Sequence, residues 1–167
     1  MNTLIECGSI DEHSKIWWDI RPHPKFPTLE FRICDCTTKI DEVISIAALV
    51  QALVAKLIQY RRSNQTWRSY RSSMIAENKW RAMKDGINGS LIDFGKKTEG
   101  LVSSLIEEII DLVDDVLDPL GTREEVENIR TILKNGASAD RQLANYEETG
   151  SLESVVDQLG AETLEGL

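Results

Sequence analysis

Ile16-Trp17-Trp18-Asp19-Ile20-Arg21 and Thr28-Leu29-Glu30-Phe31-Arg32-Ile33-Cys34 are the stretches that decide the fold of this chain. Both alternate apolar and polar residues, which is the period of an extended strand. Between them runs Pro22-His23-Pro24-Lys25-Phe26-Pro27, and three prolines in six residues make a stiff connection that cannot continue a ladder. Two adjacent strands with a short link are expected to be antiparallel neighbours. The alternation places Trp18, Ile20, Leu29, Phe31 and Ile33 on one face and Asp19, Arg21, Glu30 and Arg32 on the other. A charged strand face often simply meets water. The same set, two arginines and two carboxylates at i, i+2 on neighbouring strands, is also the composition of a phosphate-and-metal surface. Planar guanidinium forks bind phosphate oxygens, and carboxylates hold a hard cation such as Mg²⁺.

Downstream the period changes from two to between three and four. Ile40, Val43, Ile44, Ala47, Val50, Leu53, Val54, Leu57 and Ile58 predict a long helix that starts after Thr38 as N-cap and ends between Tyr60 and Asn64. A second helix is expected over 71–84, closed by Gly86, then a turn at 87–90 and a short strand at 91–94. A third helix is expected over 97–117, with Leu101, Leu105, Ile109, Leu112, Val113 and Val116 inward and Pro119 and Gly121 ending it. Shorter helices follow over 123–134, 139–148 and 152–163, with Thr122, Ser138 and Ser151 as caps. The expected fold class is α+β, with a partial antiparallel sheet of two to three strands packed with a mostly helical C-terminal region. The whole chain, 1–167, is read as a single domain, with strands in 1–36 and mainly helix in 39–165. Two or three strands make a poor sheet alone, so the sheet is too small for its pattern.

The composition fits that of a globular domain. The chain has 167 residues, 41% hydrophobic and 28% charged, with 19 Lys+Arg against 28 Asp+Glu and a net charge of −9. That balance disfavours general nucleic-acid binding. No uninterrupted apolar run reaches the roughly 18 residues needed to cross a bilayer, and 1–13 do not read as a signal peptide, so a cytoplasmic protein without membrane contact is expected. Cys7, Cys34 and Cys36 are an odd count and read as reduced thiols; with only His13 and His23 to complete a site, zinc is not expected.

One segment stands apart in charge. Residues 61–84 carry seven positives (Arg61, Arg62, Arg68, Arg71, Lys79, Arg81 and Lys84) against Glu77 alone, a net +6, so with −9 overall the remainder carries −15. Such focusing suits a small anionic ligand, although a solvated basic face has the same composition. Asn78 and Arg81 are three apart on one helix face, where an amide and a guanidinium together can read a carboxylate or a phosphate. The acidic run from Glu107 to Asp118 reads as a solvated face, and the four tryptophans as packing, with stacking on a base as the other reading.

Taken in order, these motifs resemble a known family. Trp18-Asp19-Ile20-Arg21-Pro22 and Thr28-Leu29-Glu30-Phe31-Arg32-Ile33-Cys34-Asp35 resemble the paired strands of bacterial carboxylate–amine ligases of the glutamate–cysteine ligase type 2 family, relatives of the glutamine synthetase fold. Glu77-Asn78-Lys79-Trp80-Arg81-Ala82 with Gly86, then Gly89-Ser90-Leu91-Ile92-Asp93, and Ala139-Asp140-Arg141-Gln142-Leu143 with Tyr146 and Ser151-Leu152, are similar to its later motifs. The resemblance covers only the C-terminal half of such proteins, so the chain would be a fragment of a glutamine synthetase-like catalytic domain.

The resemblance implies ATP and Mg²⁺ as cofactors, and glutamate with cysteine or another amine as substrates, as in glutathione biosynthesis. The γ-carboxylate is phosphorylated and the amine then displaces phosphate. It implies Glu30 as a metal ligand, Arg32 and Arg21 as catalytic cations, and Asp19, Asn78, Arg81 and Arg141 as ATP- or substrate-binding residues. For Asp140, Arg141 and Gln142, helix capping or an inter-helix ion pair is an equally good account. An N-terminal half or a second copy is the implied partner. The alternative is a non-catalytic helical module that acts through oligomerisation.

Overall fold

The structure is a computed structural model that describes residues 2–165. It is α+β, as expected, and divides into two compact units at the point where the sequence period changes, one ending at Cys36 and the other beginning at Thr37.

In the first unit a short helix, α1 (Asn2–Glu6), and a 3₁₀ turn at His13–Lys15 precede a hairpin of β1 (Ile20–Pro22) and β2 (Leu29–Phe31). The strands are antiparallel with Ile20 opposite Phe31, Arg21 opposite Glu30 and Pro22 opposite Leu29. Both are shorter than their alternation suggests. The bond from Arg32 N–H to the Asp19 carbonyl (2.8 Å) extends the pairing by one step before the chain bends away. The faces are as the alternation predicts, but their exposure is not that of a hairpin lying on a core. Trp18, Ile20, Leu29 and Ile33 are about half exposed. Ile16 is the only buried apolar residue of this unit among the described residues.

The second unit is mostly helical: α2 (Ile40–Arg62), α3 (Ser72–Asp85), α4 (Val102–Leu120), α5 (Arg123–Glu127), α6 (Ile129–Asn135), α7 (Ser138–Thr149) and α8 (Leu152–Leu164). Its core is Ala48 and Ala52 of α2 against Ile110, Val113, Val116 and Leu117 of α4, closed by Val126 and Ile129. Several details differ from the sequence expectation. A second hairpin is present, β3 (Ser90–Asp93) with β4 (Thr98–Leu101), so the strands form two separate two-stranded sheets. The residues expected to open the third helix are instead its loop and fourth strand. The Asp93 carboxylate accepts from the backbone of Gly95 and Lys96 (2.8 and 2.9 Å), and Lys97 turns the chain at φ +58°. Within α4 the buried line is Ile110, Val113, Val116 and Leu117, one step round from Leu105, Ile109 and Leu112, while Leu101 is exposed on β4. Helix 123–134 is broken at Asn128 into α5 and α6. Thr38 does not cap α2; its hydroxyl donates to Glu162, and Gly121 alone, in the left-handed region, closes α4 after Pro119 has been accommodated inside it.

α2 also corrects the membrane reading. Over its 23 residues it is long and apolar enough to cross a bilayer by length and composition. It nevertheless supplies Ala48 and Ala52 to the core, as a helix of a folded domain does.

Candidate active site

The hairpin of the first unit gathers three of the predicted site residues on one face. Arg21 and Glu30 stand opposite each other in register, and Arg32 follows Glu30 by two residues. Arg21 Nε donates to Glu30 Oε2 at 2.8 Å, and its Nη2 donates to the same oxygen. Arg32 Nη1 donates to Glu30 Oε1 at 2.8 Å. One carboxylate therefore sits between two guanidinium groups, and the cluster carries a net +1. Hydrogen bonding from Arg21, then from Arg32, outweighs partial burial and holds the Glu30 carboxyl below the ordinary range.

The two arginines are not equivalent. Arg21 also donates through Nη1 to the carbonyls of Ser14 (3.2 Å) and Ile16 (3.1 Å), and its side chain is only 13% exposed. It straps the hairpin to the preceding segment. Arg32 donates only through Nη1 among the described residues, and its guanidinium carbon lies 4.9 Å from the centre of the Trp17 ring. Among the described residues, no group accepts from the edge bearing Nε and Nη2. The Asp19 carbonyl holds the end of the ladder.

The metal reading of Glu30 fits this geometry poorly. Both of its oxygens already accept from guanidinium, and the surrounding charge is positive. Among the described residues no group of three or more His, Cys, Asp or Glu side chains is placed to hold a metal ion. The described residues therefore do not make an Mg²⁺ site by themselves.

The predicted residues of the second unit are engaged within the fold. Asn78 on α3 donates to the Ile92 carbonyl (2.9 Å) and accepts from the Ile92 N–H (2.8 Å), so its amide is paired to the edge of β3. Arg81 bonds Glu77 one turn back and Glu99 on β4, each at 2.9 Å. It borders a polar cavity of about 620 Å³ with Trp80, Lys84 and Ser90. Arg141 joins three helices: its guanidinium donates to Glu42 (2.7 Å), to Glu162 (3.0 Å) and to the Gly136 carbonyl (3.0 Å). Asp140 accepts from Ala137 N–H at the start of α7 (2.8 Å), and Gln142 donates to Ser138 (3.1 Å). The capping and inter-helix ion-pair contacts expected of this motif are present. The reading of the tryptophans as packing or base stacking does not include the contact of Trp17, in the segment before β1, with Arg32.

A family model described as glutamate–cysteine ligase family 2 matches residues 1–158. The chain belongs to that family. A relative from Solibacter usitatus is 54% identical over 167 residues, which cover all of this chain and 43% of the relative. Another from Chloroflexus aurantiacus is 52% identical over 98% of this chain and 42% of the relative. One from Sorangium cellulosum is 47% identical over all of this chain and 44% of the relative. All three carry the provisional name glutamate–cysteine ligase 2. The chain thus spans less than half the length of the curated relatives it matches.

Proposed function

We propose that this chain is the part of an ATP-dependent carboxylate–amine ligase that steadies the transferred phosphoryl group, and that the enzyme joins the γ-carboxylate of glutamate to the amine of cysteine or a similar acceptor. What carries the reading is Arg32, held between Glu30 and Trp17 with one N–H edge unengaged among the described residues, in a member of this family. In the first half-reaction a γ-carboxylate oxygen attacks the terminal phosphorus of ATP; the bond to ADP breaks and γ-glutamyl phosphate forms. In the second, the amine attacks the acyl carbon, the C–O bond to phosphate breaks, and the amine loses a proton. Arg32 donates to phosphoryl oxygens in both, where charge grows and then departs. Arg21 and Glu30 keep Arg32 in place. Glu30 is ionised at neutral pH and bonded at both oxygens, so it is an orienting group and not the acceptor of the amine proton.

Mg²⁺ would need ligands beyond those gathered here, and no step is assigned to it. Asn78 and Arg141 serve by positioning elements, whereas Arg81 retains access to a polar cavity. A cytoplasmic location goes with this reading.

The test is phosphate release from ATP with Mg²⁺, glutamate and cysteine. It is run on the chain alone and on the chain mixed with the region of the Solibacter usitatus relative that it does not match. Release is expected in the mixture, and Arg32→Ala should lower it by about 100-fold, as for loss of one oxyanion donor. Silence in both samples, with the chain folded and self-associated, would favour the non-catalytic module.

A further inference from the structure

Trp17 is 77% exposed, so burial of its indole does not explain its place. Among the described residues, its ring contact is with the guanidinium of Arg32, 4.9 Å from the ring centre. We infer that Trp17 is a positioning residue that fixes the plane of the Arg32 guanidinium so that its free edge meets an oxyanion. The inference rests on the reading of Arg32 as a phosphoryl clamp.

Two constraints define the guanidinium plane. Glu30 Oε1 accepts from Nη1 at 2.8 Å and fixes one in-plane direction. The Trp17 ring, whose centre lies 4.9 Å from the guanidinium carbon, attracts the cation and so restrains rotation about that hydrogen bond. With Nη1 engaged by Glu30 and the cation held at the ring, Nε and Nη2 are left to a tetrahedral oxyanion, in the bidentate geometry that guanidinium offers phosphate. Arg21 is a poor substitute, because four of its five N–H donors are engaged by Glu30, Ser14 and Ile16 and no bidentate edge is left. The other aromatic–cation pairs of the chain, Lys56 with Tyr60 and Lys84 with Trp80, involve a cation without a plane to fix.

The test uses the full chain and inorganic pyrophosphate without divalent cation, titrated by calorimetry. Trp17→Leu should weaken pyrophosphate about two- to fivefold, the value of an exposed cation–π contact of about 0.5–1 kcal/mol. Trp17→Phe keeps a ring face and should stay within about twofold. In an Arg32→Gln background Trp17→Leu should have no further effect, since the indole acts through the guanidinium. The Arg32 Nε–H proton resonance gives a readout that a merely structural role would not move. It should lie upfield in the wild type, shifted by the ring current, and return downfield in Trp17→Leu.

Pyrophosphate binding that Arg32→Gln abolishes but Trp17→Leu leaves unchanged would overturn the role of Trp17 alone. A loss from Trp17→Leu that persists in the Arg32→Gln background would also overturn it, because the indole would then touch the ligand. Absence of binding in the wild type, or equal binding by Arg32→Gln, would instead refute the clamp on which the inference rests.

Discussion

Asn78 does for Ile92 what a neighbouring strand would do. Its amide pairs with both the N–H and the carbonyl of that residue, at 2.8 and 2.9 Å, and so joins α3 to the edge of β3. Asn78→Leu leaves two partly buried backbone groups without partners. It should cost on the order of 1–3 kcal/mol in urea unfolding. Glu162 makes a pH-dependent contribution of opposite chemistry. Burial would raise its carboxyl, but hydrogen bonds from Arg141, Thr38 and Gln158 outweigh it and hold the group at about 2, against an ordinary 4.5. A carboxyl depressed in the folded state stabilises fully above its unfolded value and loses that contribution as pH falls. The effect of Glu162 is therefore present above about 4.5 and fades towards 2. Glu162→Gln should lower unfolding stability at pH 7 by on the order of 2 kcal/mol, and the difference from wild type should shrink steadily below pH 4.5. A difference independent of pH would show that Gln restores or loses only packing.

At the scale of elements, α2 shows what sequence period can and cannot tell. The three- and four-residue spacing placed the helix within two residues at either end, because helix formation depends on local sequence. It did not say which face is inward, because α2 is apolar most of the way round. The packed line is the small-residue one, Ser45, Ala48 and Ala52, which lets α4 approach closely. Ile40, Val43, Ile44, Leu57 and Ile58 are left exposed.

The β3–β4 hairpin was half legible. Leu91 to Phe94 read as a strand, but Thr98 to Leu101 holds a glycine and abuts a helix pattern, so its residues blended into that pattern. At the candidate site, the faces of β1 and β2 followed from alternation alone. The strapping role of Arg21 did not, since its carbonyl partners at Ser14 and Ile16 lie in an irregular segment. Ile40 and Ile58 are 18 residues, hence five turns, apart and share one line of α2. Replacing both with Glu should leave unfolding stability within about 0.5 kcal/mol. Ile58→Glu also gains Arg61 and Arg62 one turn away. If the exposed line drives association between chains, light scattering should report a lower mass for the double variant than for wild type. An unchanged mass would assign any association to another surface.

The whole molecule is uneven in what holds it together. The second unit has a continuous apolar core in which Ala52, Val113, Leu117 and Val126 are fully buried. Among its described residues the first unit has one buried apolar residue, Ile16, and it relies on the Arg21–Glu30–Arg32 cluster and three strand pairs. Partly exposed ion pairs contribute about 0–1 kcal/mol each, well short of a buried core, so the two units should differ in local stability. In hydrogen exchange, the amides of β1 and β2 should exchange by opening events that leave α2 and α4 closed. Their rates should be orders of magnitude faster than those of Ala52, Val113 and Leu117. Salt should speed exchange in the hairpin and leave the core amides nearly unchanged, because screening acts on ion pairs and not on apolar burial. A chain beginning at Thr37 should keep its helical circular dichroism and a cooperative melt. Uniform exchange across both units, or loss of the melt in the shortened chain, would mean that the hairpin is an integral part of the cooperative core. A weakly held hairpin is also what the proposed ligase reading requires of this unit, since its half-exposed apolar face at Trp18, Ile20, Leu29 and Ile33 stabilises the fold only when something apolar covers it.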